Sequence, residues 1–230
     1  MKKTIIFLHG GPGFKDYLGK YFSVLEESFT CIFYDQLRGS SVKIDDLLSE
    51  LGEVVNNQDG DVILLGHSWG GVLATAYTAK NTNKVSALVL MSTGLNTKHW
   101  YDIYYNKLDE LDLNESPMED IFLSKNEVEL GKSLLKFGNE TFCEDTFDSL
   151  DDSFLRKYDL THEFSNFDIP IFNIYGEEDL RFSAEVHSEI KELNKNVIEF
   201  PVKETGHFPF LQKQNLIMIN EFLKDSLLDN

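Results

Sequence analysis

Cysteine and basic residues are scarce in this chain of 230 residues. It has 2 cysteines, and 21 Lys and Arg residues face 39 Asp and Glu residues, so its formal net charge is −18. Two isolated cysteines, Cys31 and Cys143, indicate buried thiols in a reducing cytoplasm more than a disulfide. The acidic excess argues against nucleic acid as a partner, because phosphate groups would be repelled.

Long apolar runs and metal or nucleotide motifs are also missing. No run approaches the roughly 18 apolar residues that a membrane span needs, so no membrane partner is expected. The sequence has no C-x-x-C pair, no H-E-x-x-H, no Walker motif and no dinucleotide fingerprint. We therefore expect chemistry that needs no metal and no cofactor. With 42% hydrophobic residues, the chain suits one domain with a single core and an inserted subdomain.

Short apolar runs alternate with segments typical of helices. Strands are predicted at 4–8, 30–34, 61–65, 85–91, 169–175 and 196–200. This alternation predicts the α/β class, with a mostly parallel, doubly wound sheet that carries helices on both faces.

The third strand-like run ends in Gly66-His67-Ser68-Trp69-Gly70-Gly71, and a helix-compatible stretch follows. A G-x-S-x-G between a strand and a helix is the pattern of a nucleophile elbow. The turn strains the serine and leaves almost no room for side chains two residues before and after it. Ser68 is therefore the candidate nucleophile, displayed at a helix N-terminus whose partial positive charge favours an oxyanion.

The first strand runs into a second glycine-rich loop, His9-Gly10-Gly11-Pro12-Gly13. Glycines leave backbone N–H groups open to a cavity, and the residue after the nucleophile supplies another such donor. We expect the amides of Gly11 and Trp69 to form an oxyanion hole, with Gly10 as the alternative to Gly11. A turn that only reverses the chain is the other interpretation of this loop.

The acid and the base of a triad must then follow downstream. His207 lies in a glycine-framed loop after the last predicted strand, where it would take the Ser68 proton and return it to the leaving group. Asp179 follows the fifth predicted strand and is the candidate acid. Its neighbours Glu177 and Glu178 are interpreted as solvated loop carboxylates.

Other polar residues near these motifs have structural interpretations. His67 is expected to pack beneath the carboxyl edge of the sheet, and His9 to bond to loop backbone and shape the oxyanion hole. Asp35 and Arg38 are expected to form a loop network.

Together the motifs resemble the α/β-hydrolase fold and, within it, the proline iminopeptidase-like branch. The narrower resemblance rests on His9–Gly13, on Asp16-Tyr17-Leu18, on Tyr34-Asp35-Gln36-Leu37 and on the Gly66–Gly71 elbow. That branch usually reads D-Q-x-G-x-G-x-S after the tyrosine, whereas residues 35–41 here read DQLRGSS. The resemblance also implies that the antiparallel hairpin at the front edge is absent. An edge strand left exposed in this way could be covered by another chain.

Residues 96–168 interrupt the alternation and are predicted to be a helical cap, inserted between core segments 1–95 and 169–230. The insertion holds nearly half of the acidic residues and many aromatics. Two interpretations stay open. The aromatics line a substrate pocket and the acids attract a cationic group, or the aromatics form the core of the cap and the acids its solvated face. Under the first, Trp100, Tyr104 and Met118 line the pocket, and Gly10 of the glycine-rich loop contacts the substrate as well.

These expectations favour a serine hydrolase that cleaves small carboxylic esters through an acyl-enzyme. An aminopeptidase acting on N-terminal peptide amides is the runner-up, and a non-catalytic ligand receptor on the same fold is the third hypothesis. The partner is then a small-molecule ester or a short peptide, and the protein a monomer or a homodimer.

Overall fold

Six parallel strands form one sheet in the computed structural model, which describes residues 2–228. The strands are β1 (Thr4–Leu8), β2 (Thr30–Phe33), β3 (Val62–His67), β4 (Ala87–Met91), β5 (Ile171–Gly176) and β6 (Val197–Val202). Their order across the sheet is β2-β1-β3-β4-β5-β6, and every neighbouring pair is parallel. The parallel α/β sheet predicted from the alternation is confirmed.

Helices connect successive strands. Those outside the insertion are α1 (Gly19–Phe22), α2 (Ile44–Asn56), α3 (Trp69–Lys80), α9 (Ala184–Leu193) and α10 (Lys213–Leu228). The helices between β4 and β5 are α4 (Thr97–Leu111), α5 (Met118–Phe122), α6 (Val128–Thr141), α7 (Glu144–Leu150) and α8 (Thr161–Ser165). A 3₁₀ turn at Ser23–Glu27 follows α1, and a π-helical turn at Asp151–Leu155 follows α7.

Both faces of the sheet are covered, which explains why the inner strands read as continuous apolar runs. All residues of β1, β3, β4 and β5 are buried. Alternate strand residues point to opposite faces: Ile6 and Leu64 pack with α2, α3 and α9, whereas Phe7 and Leu65 pack with α1 and α10. The sheet therefore separates two apolar layers.

The outer edges of the sheet are β2 and β6. Within residues 2–228 no antiparallel strand pairs with β2, which occupies the front edge. β2 is shorter than the inner strands and less buried, with Thr30 exposed and the next three residues half-buried.

The insertion between β4 and β5 begins and ends at one point. Asn96 and Asp159 form an isolated antiparallel bridge. Hydrogen bonds from Thr97 N to Tyr158 O and from Leu160 N to Leu95 O, both 2.9 Å, close it on either side. α8 follows this bridge and packs against α3 and α9, so the last helix of the predicted 96–168 segment contacts the core helices.

Parallel topology brings the carboxyl ends of β1, β3, β5 and β6 to the same edge of the sheet. The loops that follow these four strands carry the glycine-rich loop, Ser68, Asp179 and His207. Residues far apart in sequence are thus delivered to one place beneath the insertion.

Candidate active site

Ser68 occupies the turn between β3 and α3 with strained backbone angles of φ 54° and ψ −123°. Positive φ in a residue that is not glycine is costly and persists where the surrounding structure enforces it. The enforcement comes from close packing. A Cβ added to Gly66 would lie 2.2 Å from Gly70 O, and one added to Gly70 would lie 1.9 Å from Leu8 O. The turn is therefore open only to glycine at both positions, and Ser68, which directly precedes the first residue of α3, is partly exposed.

His207 and Asp179 form a buried pair. Their side chains are almost fully buried, and His207 Nδ1 lies 2.9 Å from Asp179 Oδ2. Asp179 Oδ1 accepts from the backbone N of Arg181 at 2.8 Å and of Phe182 at 3.1 Å. Glu177 and Glu178, by contrast, are exposed. The structure thus brings Asp179, and neither of its glutamate neighbours, to His207.

The electrostatics of this pair favour an ionised aspartate. Burial alone would raise the pKa of Asp179, but the adjacent His207 and the hydrogen bonds to its carboxylate hold the pKa below its ordinary value. An ionised acid bonded to Nδ1 places the imidazole proton on that nitrogen and leaves Nε2 free of it.

His67 joins the two loops on either side of Ser68. The N–H of Gly10 donates to Tyr17 Oη at 2.9 Å, and the Tyr17 hydroxyl bonds to His67 Nδ1. His67 Nε2 then donates to His207 O at 2.8 Å. Burial, and next the neighbouring His207, lower the pKa of His67 to about 3, so the ring is neutral. His67 is packed as expected, against Phe208, and is also a hydrogen-bonded link that the sequence did not reveal.

His9 has a similar bracing role in the loop after β1. Its Nδ1 donates to Gly10 O at 2.8 Å, and its Nε2 accepts from Gln36 N at 3.2 Å. The Gln36 side chain donates to His9 O at 3.0 Å and accepts from Trp69 Nε1 at 2.9 Å. Burial lowers the pKa of His9 to about 4. Gln36, which the sequence marks only as part of the Tyr34–Leu37 motif, therefore ties the glycine-rich loop to the elbow.

Asp35 and Arg38 lie on either side of this brace. Asp35 Oδ1 accepts from Asp16 N at 2.8 Å, and Arg38 Nη1 donates to Thr141 O at 2.9 Å. Arg38 thereby connects the loop after β2 to the insertion.

The two candidate glycines for the oxyanion hole differ in their backbone bonding. The Gly10 amide is occupied by the Tyr17 hydroxyl, whereas the Gly11 amide has no acceptor within residues 2–228. Trp69 is the first residue of α3, where helix N–H groups lack intrahelical acceptors. Gly11 and Trp69 line one cavity together with Ser68.

Two cavities meet at Ser68, Gly11 and Arg181. The first, of about 70 Å³, is bounded further by aromatic residues of the insertion, among them Trp100, Tyr101, Phe147 and Tyr158. The second, of about 120 Å³, is bounded by Gly10, His207 and mostly apolar side chains, which are Phe14, Met118, Phe122, Leu134, Leu135 and Phe208.

Three of the four predicted substrate-contacting residues line these cavities: Trp100 the first, and Gly10 and Met118 the second. Tyr104 lines neither. It is buried one helical turn beyond Trp100, about 6 Å further along α4, and its ring lies 4.7 Å from the guanidinium carbon of Arg181. Trp100 and Tyr104 both belong to the buried face of α4. The sequence pattern identifies that face but not which of its residues line a cavity.

Glu127, in the insertion, holds the loop that carries His207. Its Oε2 accepts from Gly206 N at 2.7 Å and from Ser124 N at 3.1 Å, and the residue is fully buried. Burial raises the pKa of this carboxyl. His207 N donates to Phe122 O at 2.8 Å in the same contact. Neither interpretation of the insertion's acids anticipates this: Glu127 is not solvated, and it binds backbone rather than a cation.

Comparison of the chain with known proteins identifies its family. Residues 56–214 match the family model described as alpha/beta hydrolase fold. The chain belongs to the alpha/beta hydrolase family. In this alpha/beta hydrolase, the elbow and the buried acid–histidine pair lie at the carboxyl ends of the strands. The inserted helices begin at the same edge of the sheet.

Two relatives of this alpha/beta hydrolase are named proline iminopeptidase. Proline iminopeptidase of Thermoplasma volcanium is 36% identical over 107 residues, which is 42% of this chain and 36% of the relative. Proline iminopeptidase of Saccharolobus solfataricus is 35% identical over 107 residues, covering 41% of this chain and 34% of the relative. The matched segment thus spans about a third of the length of these relatives.

Solved structures extend the fold likeness to the whole chain. The enol-lactonase of Burkholderia xenovorans LB400 superposes with a TM-score of 0.78 at 14% identity, covering 99% of this chain and 92% of that one. At such identity the likeness concerns the fold alone.

Two further features of residues 2–228 concern membrane-spanning helices and metal-binding groups of side chains. No helix within 2–228 is both long and apolar enough to cross a bilayer. In the same range, no group of three or more His, Cys, Asp or Glu side chains is arranged to hold a metal ion.

The Glu127 contact generates a stability prediction. Glu127→Ala leaves the Gly206 and Ser124 amides buried without an acceptor, and each such loss costs about 1–3 kcal/mol. We expect the free energy of unfolding in urea to fall by about 2 kcal/mol or more. Glu129→Ala is the matched control, because Glu129 is exposed and pairs on the surface with Lys132, where an ion pair contributes little. Equal losses in the two variants would contradict the contact described here.

Proposed function

We propose that this alpha/beta hydrolase is a serine hydrolase that cleaves small carboxylic esters through an acyl-enzyme. The observation that carries the proposal is the convergence of three groups. Ser68 and His207 line the same cavity. The Nδ1 atom of His207 is hydrogen-bonded to the carboxylate of the buried Asp179.

In the proposed mechanism, His207 Nε2 takes the proton of Ser68 as Oγ bonds to the carbonyl carbon of the ester. The amides of Gly11 and Trp69 stabilise the oxyanion of the tetrahedral intermediate. The intermediate collapses, the C–O bond to the alcohol breaks, and His207 returns the proton to the leaving oxygen. Asp179 keeps the imidazole in the required tautomer and stabilises the imidazolium.

Deacylation repeats these steps with water as the nucleophile. His207 removes a proton from the water, whose oxygen bonds to the acyl carbon. The bond to Ser68 Oγ then breaks, and the serine regains its proton from His207. The acid leaves and the enzyme is restored without any cofactor.

Cavity chemistry supports an ester more than an amine substrate. The second cavity is mostly apolar, and no carboxylate is among its described lining residues. A substrate ammonium would lose its hydration there without a positioned counter-ion, which is costly. An ester needs no such partner, and its alkoxide or phenoxide departs more readily than an amine.

The second candidate is an aminopeptidase that releases N-terminal proline. It is favoured by relatives named proline iminopeptidase, which are up to 36% identical to the chain over the matched segment. Those relatives extend well beyond the matched segment, so their substrate preference is carried here only as the alternative.

The nucleophile is tested with a fluorophosphonate probe, which reports an activated serine without knowledge of the substrate. We expect labelling of the wild type at Ser68 alone and none in Ser68→Ala, whose hydrolytic rate falls by about 10⁴–10⁶. Ser40→Ala, which removes an exposed hydroxyl, should label normally. Absence of labelling in the folded wild type would favour the non-catalytic receptor, and labelling at Ser40, Ser41 or Ser92 would refute the assignment.

The acid is tested with an isosteric change. Asp179→Asn offers an amide N–H to His207 Nδ1, which imposes the wrong tautomer and should lower kcat by about 10⁴. Glu178→Gln makes the same change at the neighbouring exposed residue, and we expect it to retain most activity. Steady-state hydrolysis of 4-nitrophenyl butyrate measures both, and a severe loss in Glu178→Gln instead would move the acid by one residue.

Substrate class is tested by comparing esters with prolyl amides at neutral pH. We expect kcat/KM for 4-nitrophenyl esters of short acids to exceed that for L-proline 4-nitroanilide by orders of magnitude. The N-acetylated anilide should be no worse than the free one, since no described carboxylate of the second cavity would bind the ammonium. Efficient cleavage of the free prolyl anilide, lost on acetylation, would establish the aminopeptidase instead.

A further inference from the structure

Arg181 is the cation at the centre of the candidate site. It follows β5 in the loop that holds Asp179, and its backbone N donates to Asp179 Oδ1. Arg181 is among the residues that line both of the cavities that meet at Ser68. The guanidinium of Arg181 is the positive charge in the cavities that this residue shares with Ser68.

Aromatic rings of the insertion hold the guanidinium. Its central carbon lies 4.4 Å from the ring centroid of Trp100 and 4.7 Å from that of Tyr104. Such stacking stabilises the cation through the ring faces and leaves its in-plane N–H groups available as donors. The buried Tyr104 thereby has a role in the site although it does not line a cavity.

No acidic side chain within residues 2–228 forms an ion pair with Arg181. The carboxylate that shares the first cavity, Asp151, is bonded instead to Arg156, with 2.6 Å between Arg156 Nη2 and Asp151 Oδ2. Arg181 is thus left without a counter-ion in a chain of net charge −18. A partly desolvated cation kept in this way is suited to an anion that arrives with the substrate.

We propose that Arg181 binds a carboxylate carried by the substrate, so that the preferred esters are half-esters or other esters bearing a free carboxylate. The proposal rests on the ester hydrolysis proposed above and names its substrate class. The larger cavity receives this group, because its described lining includes Arg181 and no carboxylate. Two parallel N–H···O bonds between guanidinium and carboxylate then orient the ester carbonyl toward Ser68.

The test compares esters that differ only in the carboxylate. In the acyl series, the mono-4-nitrophenyl ester of glutaric acid is set against 4-nitrophenyl pentanoate, which has the same five-carbon chain. In the alcohol series, 4-acetoxybenzoate is set against its methyl ester. We expect the wild type to prefer the anionic member of at least one series in kcat/KM. Lack of preference in both series would overturn the proposal.

Arg181→Met keeps an unbranched side chain of comparable length but removes the charge. We expect kcat/KM for the preferred anionic ester to fall by about 10- to 100-fold, as for loss of hydrogen bonds to a charged group, and mainly through KM. The neutral ester makes no such bond, so its kcat/KM should fall by less, and the ratio of kcat/KM for the anionic ester to that for the neutral ester should drop by about 10-fold or more. Lys195→Gln removes one positive charge from an exposed side chain and should leave the ratio of the two esters unchanged. A parallel loss of both esters in Arg181→Met would show that Arg181 only supports the site.

A binding measurement separates this proposal from the proposed activity. In the Ser68→Ala background, monomethyl glutarate should quench or shift the tryptophan fluorescence, because Trp100 contacts Arg181. Methyl pentanoate should have a weaker effect, and adding Arg181→Met should abolish the difference. Carboxylate-dependent binding without hydrolysis or fluorophosphonate labelling in the wild type would refute the activity and retain the anion site. Hydrolysis without carboxylate-dependent binding would refute the anion site alone.

Discussion

The arrangement around Ser68 depends on one buried chain of hydrogen bonds, from the Gly10 amide through Tyr17 and His67 to the carbonyl of His207. Each link uses a donor of one group and an acceptor of the next, so the chain is satisfied with a neutral His67 in a single tautomer. Removing one member would leave a buried polar group unpaired, which is more costly than the bond itself. The loops after β1 and β6 are in this way fixed relative to each other, with the elbow between them.

The insertion contributes to the site in two opposite electrostatic ways. Glu127 accepts hydrogen bonds from the backbone amides of Gly206, in the loop that carries His207, and of Ser124, in the insertion, so the insertion and that loop are held together. The aromatics of α4 hold Arg181, a core residue, without neutralising it. The Glu127 carboxylate is thus bound by backbone amides of the protein, whereas Arg181 has no ion-pair partner in the part of the chain that the structure describes. Most other acidic side chains between β4 and β5 are exposed.

Sequence patterns predicted the parallel sheet and the strand ends, because buried strands and glycine turns are encoded locally. They also identified Ser68, Asp179 and His207 as candidate site residues, because the loops that follow parallel strands meet at one edge of the sheet whatever the details of packing. The contacts of Glu127 and Gln36 could not be predicted in this way. Their partners, Gly206 and His9, lie in other segments of the chain, and no local spacing of residues marks either contact. Tyr104 was misplaced for a related reason: helical periodicity identifies the buried face of α4 but not which turn of it reaches the cavity.

The bridge between Asn96 and Asp159 brings the two ends of the insertion together. Its two ends are joined by backbone hydrogen bonds, so the sheet receives the same pair of anchor points whatever length of chain lies between them. Lengthening a closed loop adds only a slowly growing entropic cost. A different set of helices could be carried above the bridge with the elbow left intact, provided that it replaced the contacts that Glu127 and Thr141 make with the core.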